Sequence, residues 1–409
     1  MILISKENSV IKEELQITGS KSESNRLLLL NQLFQNALML ENVSNSEDSQ
    51  LMQKALANTS DLIDIHHAGT AMRFLTAYYS IQEGRTVTLT GSDRMKQRPI
   101  GVLVDALRDL GADITYVEKE GFPPLKINGK KITSNQITIP ANVSSQYITA
   151  LMLIGTKLEN GLKITLEGKI ISVPYIQMSI QLLNRIGVNA EMIGQEISVQ
   201  YSPSIDNKTL QVESDWSSAS YYYSLVALSP NSEISISTYF EDSLQGDSAL
   251  QNIYRENFGV ESTFEDGKLT LKNNPNFDYK EVINLDLNNT PDIAQTIAGT
   301  CVGLGLKCNL TGLETLKIKE TDRLQALLNE LTKFGAIVVI TEDSLTIKGY
   351  NIFEETPVLA TYNDHRMAMC MAPLAVKFDI KIEDEMVVEK SYPTFWEDWK
   401  QLGFQIKSI

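Results

Sequence analysis

Leucine-type residues recur at helical period in five stretches, each closed by a glycine and followed by a strand-like apolar segment. The stretches are LVDALRDLGA to Gly111, IQLLNRIGV to Gly187, LQNIYRENFGV to Gly259, LLNELTKFGA to Gly335 and FWEDWKQLGF to Gly403. A glycine there supplies the left-handed residue that ends a helix. The five are 76, 72, 76 and 68 residues apart, so one helix-to-strand unit is copied down the chain. A second series of helices is apolar nearly all round: SNRLLLLNQLF, TAMRFLTAYY, SQYITALMLIG, SASYYYSLVAL, IAQTIAGTCVGL and RMAMCMAPLAV. Helices without a polar face are buried. They begin near Ser20, Gly69, Ser144, Ser217, Pro291 and His365, at intervals of 49, 75, 73, 74 and 74 residues. Six units, the first one short, account for nearly the whole chain, and six suits two three-unit globules better than a solenoid. The pattern predicts an α/β protein with its boundary between the third and fourth units, near 210–213. The short first interval predicts that one unit has lost a strand and part of its connection, between the helix over 49–56 and His67.

Length and charge narrow the function. A chain of 409 residues is too long for one ordinary core. Neither the opening MILISKENSV nor any later stretch has the apolar run of a signal peptide or a membrane span, so a cytoplasmic address is expected. Cys301, Cys308 and Cys370 are odd in number and lack metal-ligand spacing, which predicts a reducing compartment, no disulfide framework and no metal. The net charge of −15 argues against nucleic acid or an anionic membrane as partner. A small anion could still be held wherever the Arg and Lys residues gather.

They gather at helix starts, where unpaired N–H groups and the positive dipole end favour anions. One dipole contributes only about 0.3–1 kcal/mol at an exposed site, so several must converge. GSKSESNR places Lys21, Ser22 and Arg26 at one such start, although a serine cap with solvated charges gives the same string. In HHAGTAMR, Gly69 permits close backbone approach and Arg73 lies one turn on, while the adjacent His66 and His67 have the wrong spacing for a metal pair. Arg94, Lys96 and Arg98 crowd TGSDRMKQRPIG; alone, such a run is a solvated surface. Ser144, Ser145 and Gln146 open another helix and Ser172 precedes a further one, each readable singly as a cap. The second half holds acid–base candidates. Asp292 follows Pro291 in a first turn, where a carboxylate is stabilised whatever its role. KIKETDRLQAL packs Lys317, Lys319, Glu320, Asp322 and Arg323 together, and a capping box explains Thr321 or Asp322 but not the cations and Glu320 as well. YNDHRMAM repeats the design with Asp364, His365 and Arg366; Cys370, further along that apolar helix, reads as core rather than nucleophile.

Taken in order, GSKSESNR, AGTAMR, RMKQRPIG, SSQYITAL, SVPY, SSASYY, PDIAQTIA, KETDRL and NDHRMAM resemble the EPSP synthase family of enolpyruvyl transferases over essentially the full chain. The resemblance implies two similar globules, each of three βαβαββ units in an inside-out α/β barrel, with the first unit shortened and the active site in the cleft between the globules. The chain would cross between them near Thr18 and Val212, giving domains of 19–212 and of 1–18 plus 213–409. It implies transfer of the enolpyruvyl group of phosphoenolpyruvate to the 5-hydroxyl of shikimate 3-phosphate, without cofactor, by a monomer. Lys21, Gly69, Arg98, Gln146, Arg323, Arg366 and Lys390 would surround phosphoenolpyruvate. Lys21, Ser22, Arg26, Ser144, Ser145, Gln146, Ser172, Asp292 and Lys319 would hold shikimate 3-phosphate, with Asp292 on the reacting hydroxyl. Lys21, Asp292, Glu320 and Lys390 would be catalytic, Glu320 serving the methylene proton. Lys390 is recognisable only through the likeness of EKSYPTFWEDW to the family's segment. Glyphosate would occupy the phosphoenolpyruvate site, with Gly69 deciding how well it fits. Thr18, His67, Phe74 and Thr315 depart from the usual family residues, and with the short first unit they bear on the shape of the phosphoenolpyruvate side.

Two other readings compete. The UDP-N-acetylglucosamine enolpyruvyl transferase shares the implied fold but uses a loop cysteine, and none occurs around Arg94 to Arg98. A non-catalytic phosphosugar-binding relative could keep the arginines but has no use for Lys21, Asp292, Glu320 and Lys390 together.

Overall fold

A computed structural model describes residues 1–170 and 172–409. The chain divides into two compact units, an inserted one of Gly19–Val212 and a flanking one of Met1–Thr18 with Glu213–Ile409. Strands β1 (Ile2–Ser5) and β2 (Lys12–Leu15) open the flanking unit. The inserted unit then runs α1 (Lys21–Leu33), β3 (Leu38–Glu41) and α2 (Glu47–Ala57). Its second repeat is β4 (Leu62–Asp64), α3 (Gly69–Ser80), β5 (Thr86–Thr90), α4 (Gly101–Leu110), β6 (Asp113–Tyr116) and β7 (Leu125–Asn128). Its third is β8 (Gln136–Pro140), α5 (Ser145–Gly155), β9 (Leu162–Glu167), α6 (Val173–Arg185), β10 (Ala190–Ile193) and β11 (Glu196–Val199), and β12 (Lys208–Gln211) closes the unit. The flanking unit resumes with α7 (Trp216–Leu228), β13 (Glu233–Ser237), α8 (Leu250–Phe258), β14 (Val260–Glu265) and β15 (Lys268–Asn273). Next come β16 (Val282–Asp286), α9 (Ala294–Leu304), β17 (Lys307–Thr311), α10 (Arg323–Thr332), β18 (Ala336–Ile340) and β19 (Leu345–Tyr350). The last repeat is β20 (Val358–Leu359), α11 (His365–Met371), β21 (Ile380–Ile382), α12 (Phe395–Gln401) and β22 (Gln405–Ser408).

One sheet pattern recurs. In β4-β5-β7-β6 the first pair is parallel and the other two antiparallel, and β8-β9-β11-β10 and β16-β17-β19-β18 repeat it. The flanking unit completes its other two sheets with the opening strands, β2 beside β13 and β1 between β21 and β22. The first repeat differs. Among the described residues only the parallel pair β12-β3 forms, so both strands of the hairpin are missing there, where the spacing predicts the loss of one. Residues 58–61 lead straight from α2 to β4, leaving no chain for a hairpin.

Helices fill the inside of each unit. All twelve residues of α3 are buried, as are twelve in α7, while strands such as β9 alternate buried and exposed positions and so carry one face to solvent. The five predicted terminal glycines all have φ between 67° and 108°. Cap chemistry sets the other helix ends: Ser20, Ser144, Asp322 and Asp364 accept first-turn N–H groups of α1, α5, α10 and α11. At α7 the cap is Asp215, and the helix begins at Trp216 rather than Ser217. Among the described residues no helix is long and apolar enough to cross a membrane.

Candidate active site

In the inserted unit, α1, α3 and α5 pack against one another. Arg26 ties α1 to its neighbours, its Nε donating to Ser179 Oγ at 2.8 Å, Nη1 to the Ser22 carbonyl at 2.7 Å and Nη2 to Thr149 Oγ1 and the Tyr175 carbonyl at 3.4 Å each. Burial lowers its pKa to about 10 against the opposing pull of Tyr175 and Glu23, so it remains a cation at neutral pH. Gln146 Nε2 donates to Thr70 Oγ1 at 3.1 Å, joining the first turns of α5 and α3. Lys21 Nζ lies 3.4 Å from the buried carboxylate of Asp48 at the start of α2. Arg73 donates to the carbonyls of Gly69 and Pro99 at 3.1 Å each, and Tyr147 Oη donates to Pro99 at 2.6 Å. These bonds fix the loop carrying Arg98 beside the start of α3. The approach is close: a Cβ on Gly69 would stand 2.6 Å from Arg98 Nη1. Ser172, at φ 55° and ψ 38°, precedes α6 and its side chain caps no N–H there.

In the flanking unit the charged side chains form one network. Arg323, 2% exposed, donates through Nε to Asp364 Oδ2 at 2.7 Å and through Nη2 to Asp364 Oδ1 at 3.3 Å. It also reaches Asp292 Oδ1 at 3.1 Å and Glu320 Oε2 at 2.9 Å. Lys319 Nζ stands 3.4 Å from Asp292 Oδ1, and Lys390 Nζ 3.2 Å from Glu320 Oε1. Arg366 Nη2 reaches Asp292 Oδ2 at 3.4 Å while Nη1 donates to the Asp292 carbonyl at 3.1 Å. Burial alone would raise the Asp292 pKa, but Lys319, Arg366 and Arg323 outweigh it and hold the carboxyl well below the usual range. Burial works against the charge on Arg323, yet Asp364, Glu320 and Asp292 keep it protonated. The network therefore presents an ionised carboxylate ringed by cations that a competing anion could take.

Residues 55–399 match the family described as EPSP synthase (3-phosphoshikimate 1-carboxyvinyltransferase). The chain belongs to the EPSP synthase family. A 3-phosphoshikimate 1-carboxyvinyltransferase of Bacteroides fragilis is 45% identical over 403 residues, covering 98% of this chain and 97% of that protein. One from Colwellia psychrerythraea is 33% identical over 424 residues, covering 96% and 97%. The solved EPSP synthase from Acinetobacter baumannii superposes with a TM-score of 0.78 at 20% identity, covering 100% of this chain and 99% of that one, a likeness of fold.

The residues that the resemblance to EPSP synthases singles out fall into two sets. Lys21, Ser22, Gly69, Arg98, Ser144, Ser145, Gln146 and Ser172 lie at or beside helix starts of the inserted unit. Arg26 is only 3% exposed and its donors are committed to protein acceptors, so the structure does not bring it to the surface with them. Asp292, Lys319, Glu320, Arg323, Arg366 and Lys390 share the flanking network. Sequence reasoning missed Asp48, which faces Lys21, and Ser217 and Asp247, which continue the network beyond Arg366. Asp48 sits in the first turn of α2, a place where acidic residues are common for purely local reasons.

Proposed function

We propose that the chain transfers the enolpyruvyl group of phosphoenolpyruvate to the 5-hydroxyl of shikimate 3-phosphate, giving the enolpyruvyl ether and phosphate. The observation that carries this reading is Asp292, an ionised carboxylate in contact with Lys319, Arg323 and Arg366. In the addition step the hydroxyl oxygen bonds to the central carbon of phosphoenolpyruvate, the hydroxyl proton leaves, and the methylene carbon gains a proton. Elimination then removes a proton from the new methyl group as the carbon–oxygen bond to phosphate breaks. Two proton acceptors or donors and several cations are required. Asp292 accepts from the hydroxyl, and Glu320, between Arg323 and Lys390, exchanges the methylene proton. Because Asp292 is ringed by cations, it is a weak base until the substrate's own anionic groups draw Lys319 and Arg366 away; binding then raises its basicity. Substrate and catalyst compete for the same cations.

Lys21, Gly69, Arg98, Gln146, Arg323, Arg366 and Lys390 would bind phosphoenolpyruvate. Ser22, Ser144, Ser145, Ser172 and Lys319 would hold shikimate 3-phosphate, Arg26 acting by fixing α1 in place. In this reading residues 19–212 and 1–18 with 213–409 are the two domains of a cytoplasmic monomer that needs no cofactor. An acceptor panel tests it: incubation with phosphoenolpyruvate and shikimate 3-phosphate should give an enolpyruvyl ether by mass spectrometry. A product formed only with UDP-N-acetylglucosamine would reject it.

A further inference from the structure

Asp247 is a buried carboxylate that the reaction outlined above does not use. It lies in the turn Gly246–Ala249 before α8, 5% exposed. Its Oδ2 accepts from Ser217 Oγ at 2.6 Å, and the same serine oxygen accepts from Arg366 Nη2 at 3.1 Å. Arg366 continues to Asp292. Two carboxylates thus bear on one guanidinium, Asp292 directly and Asp247 through a hydroxyl. Oδ1 of Asp247 has no hydrogen-bond partner among the described residues. The large majority of buried polar side-chain atoms are paired; this carboxylate is half satisfied.

The charged groups facing Asp247 are Asp292 from the turn before α9, Arg366 from α11 and Asp215 from the cap of α7. Burial first, then the Asp292 charge, push its pKa up to about 6, while Arg366 and the Ser217 hydrogen bond oppose the rise. Its charge changes within the range where enzymes work.

We infer that Asp247 is a titrating positioning residue for Arg366: ionised, it holds the guanidinium through Ser217 and opposes an incoming anion; protonated, it yields Arg366 to that anion. This rests on the reading that Arg366 meets phosphoenolpyruvate. The proton goes to Oδ1, and Oδ2 keeps its bond to Ser217. An arriving anion favours the protonated form, so affinity for phosphoenolpyruvate is highest below about pH 6 and falls as the pH rises through that value.

The test is the KM for phosphoenolpyruvate at saturating shikimate 3-phosphate from pH 5 to 8.5, for the wild type and Asp247→Asn. Asparagine keeps an acceptor for Ser217 and carries no charge. Substrate phosphates also titrate near pH 6, but this is common to both enzymes and cancels in the ratio of their KM values. That ratio, wild type over variant, should be about 1 at pH 5 and climb to roughly threefold to tenfold above pH 7, with kcat changing less. Ser217→Ala removes both the bridge from Asp247 to Arg366 and a bond that favours the ionised form, so it should shrink the amplitude of the wild-type pH profile and move the midpoint of what remains upward, and this arm stands even if Asp247→Asn does not fold. A ratio flat with pH, or a profile unchanged in amplitude and midpoint by Ser217→Ala, would overturn the inference while leaving the functional reading intact. A wild type that releases no phosphate at any pH would overturn both.

Discussion

Replacing Asp292 with asparagine separates chemistry from binding. The change is isosteric and removes one negative charge from contact with Lys319 at 3.4 Å, Arg323 at 3.1 Å and Arg366 at 3.4 Å. Arg323 keeps its two bonds to Asp364 and its bond to Glu320, so no buried cation is stranded. The stability cost is then that of charge-assisted bonds at a partly solvated site, about 1–3 kcal/mol at pH 7. For units of this size that is roughly 2–4 °C in Tm per kcal/mol. The sign of the pH dependence follows from the direction of the shift. The Asp292 carboxyl titrates below its unfolded value, so its contribution is complete above about pH 5 and fades as the pH falls further. The stability gap between wild type and Asp292→Asn should therefore narrow between pH 5 and pH 2. Turnover should fall by roughly 10²–10⁴, the range for losing a positioned proton acceptor. The KM for phosphoenolpyruvate should hold or drop, because the cations lose a competitor. Steady-state phosphate release with both substrates varied, alongside thermal unfolding across pH, gives all these quantities. A kcat within about threefold of wild type would remove Asp292 from the proton transfer, and a KM rising as kcat falls would show that it does not compete with substrate for the cations.

Glu320→Gln should likewise lower kcat by roughly 10²–10⁴ while leaving the Arg323–Asp364 bonds intact, as steady-state kinetics will report. Asp364→Asn breaks a pair exposed only 2% and 0% and should cost about 3 kcal/mol, read from the denaturant midpoint. Gly69→Ala sets a methyl group 2.6 Å from Arg98 Nη1, which the guanidinium must vacate. Inhibition by glyphosate, competitive with phosphoenolpyruvate in the parent, should weaken several-fold with little change in Tm; unchanged inhibition would show that Arg98 does not meet the ligand there.

The features legible in the sequence are those fixed by local chemistry. Gly111 and Gly259 end their helices in the left-handed region because the pattern before each is helical and no Cβ stands in the way. Ser20 and Asp364 are caps wherever the chain places them. What escaped depends on contacts between distant segments. Spacing shows how many residues the first repeat lacks but not that both strands of its hairpin are gone. Arg26 follows Lys21 by five residues, which turns it about 140° around α1 and into the packing with Thr149 and Ser179. No motif in the sequence marks Asp247, and only the fold brings it against Ser217, thirty residues earlier.

Counting released phosphate tests the transfer itself. With purified protein, phosphoenolpyruvate and limiting shikimate 3-phosphate, release should stop after one equivalent of phosphate per shikimate 3-phosphate, none should appear when it is omitted, and Asp292→Asn should slow release by roughly two orders of magnitude or more. Release that proceeds without shikimate 3-phosphate, or that persists unchanged in Asp292→Asn, would contradict it.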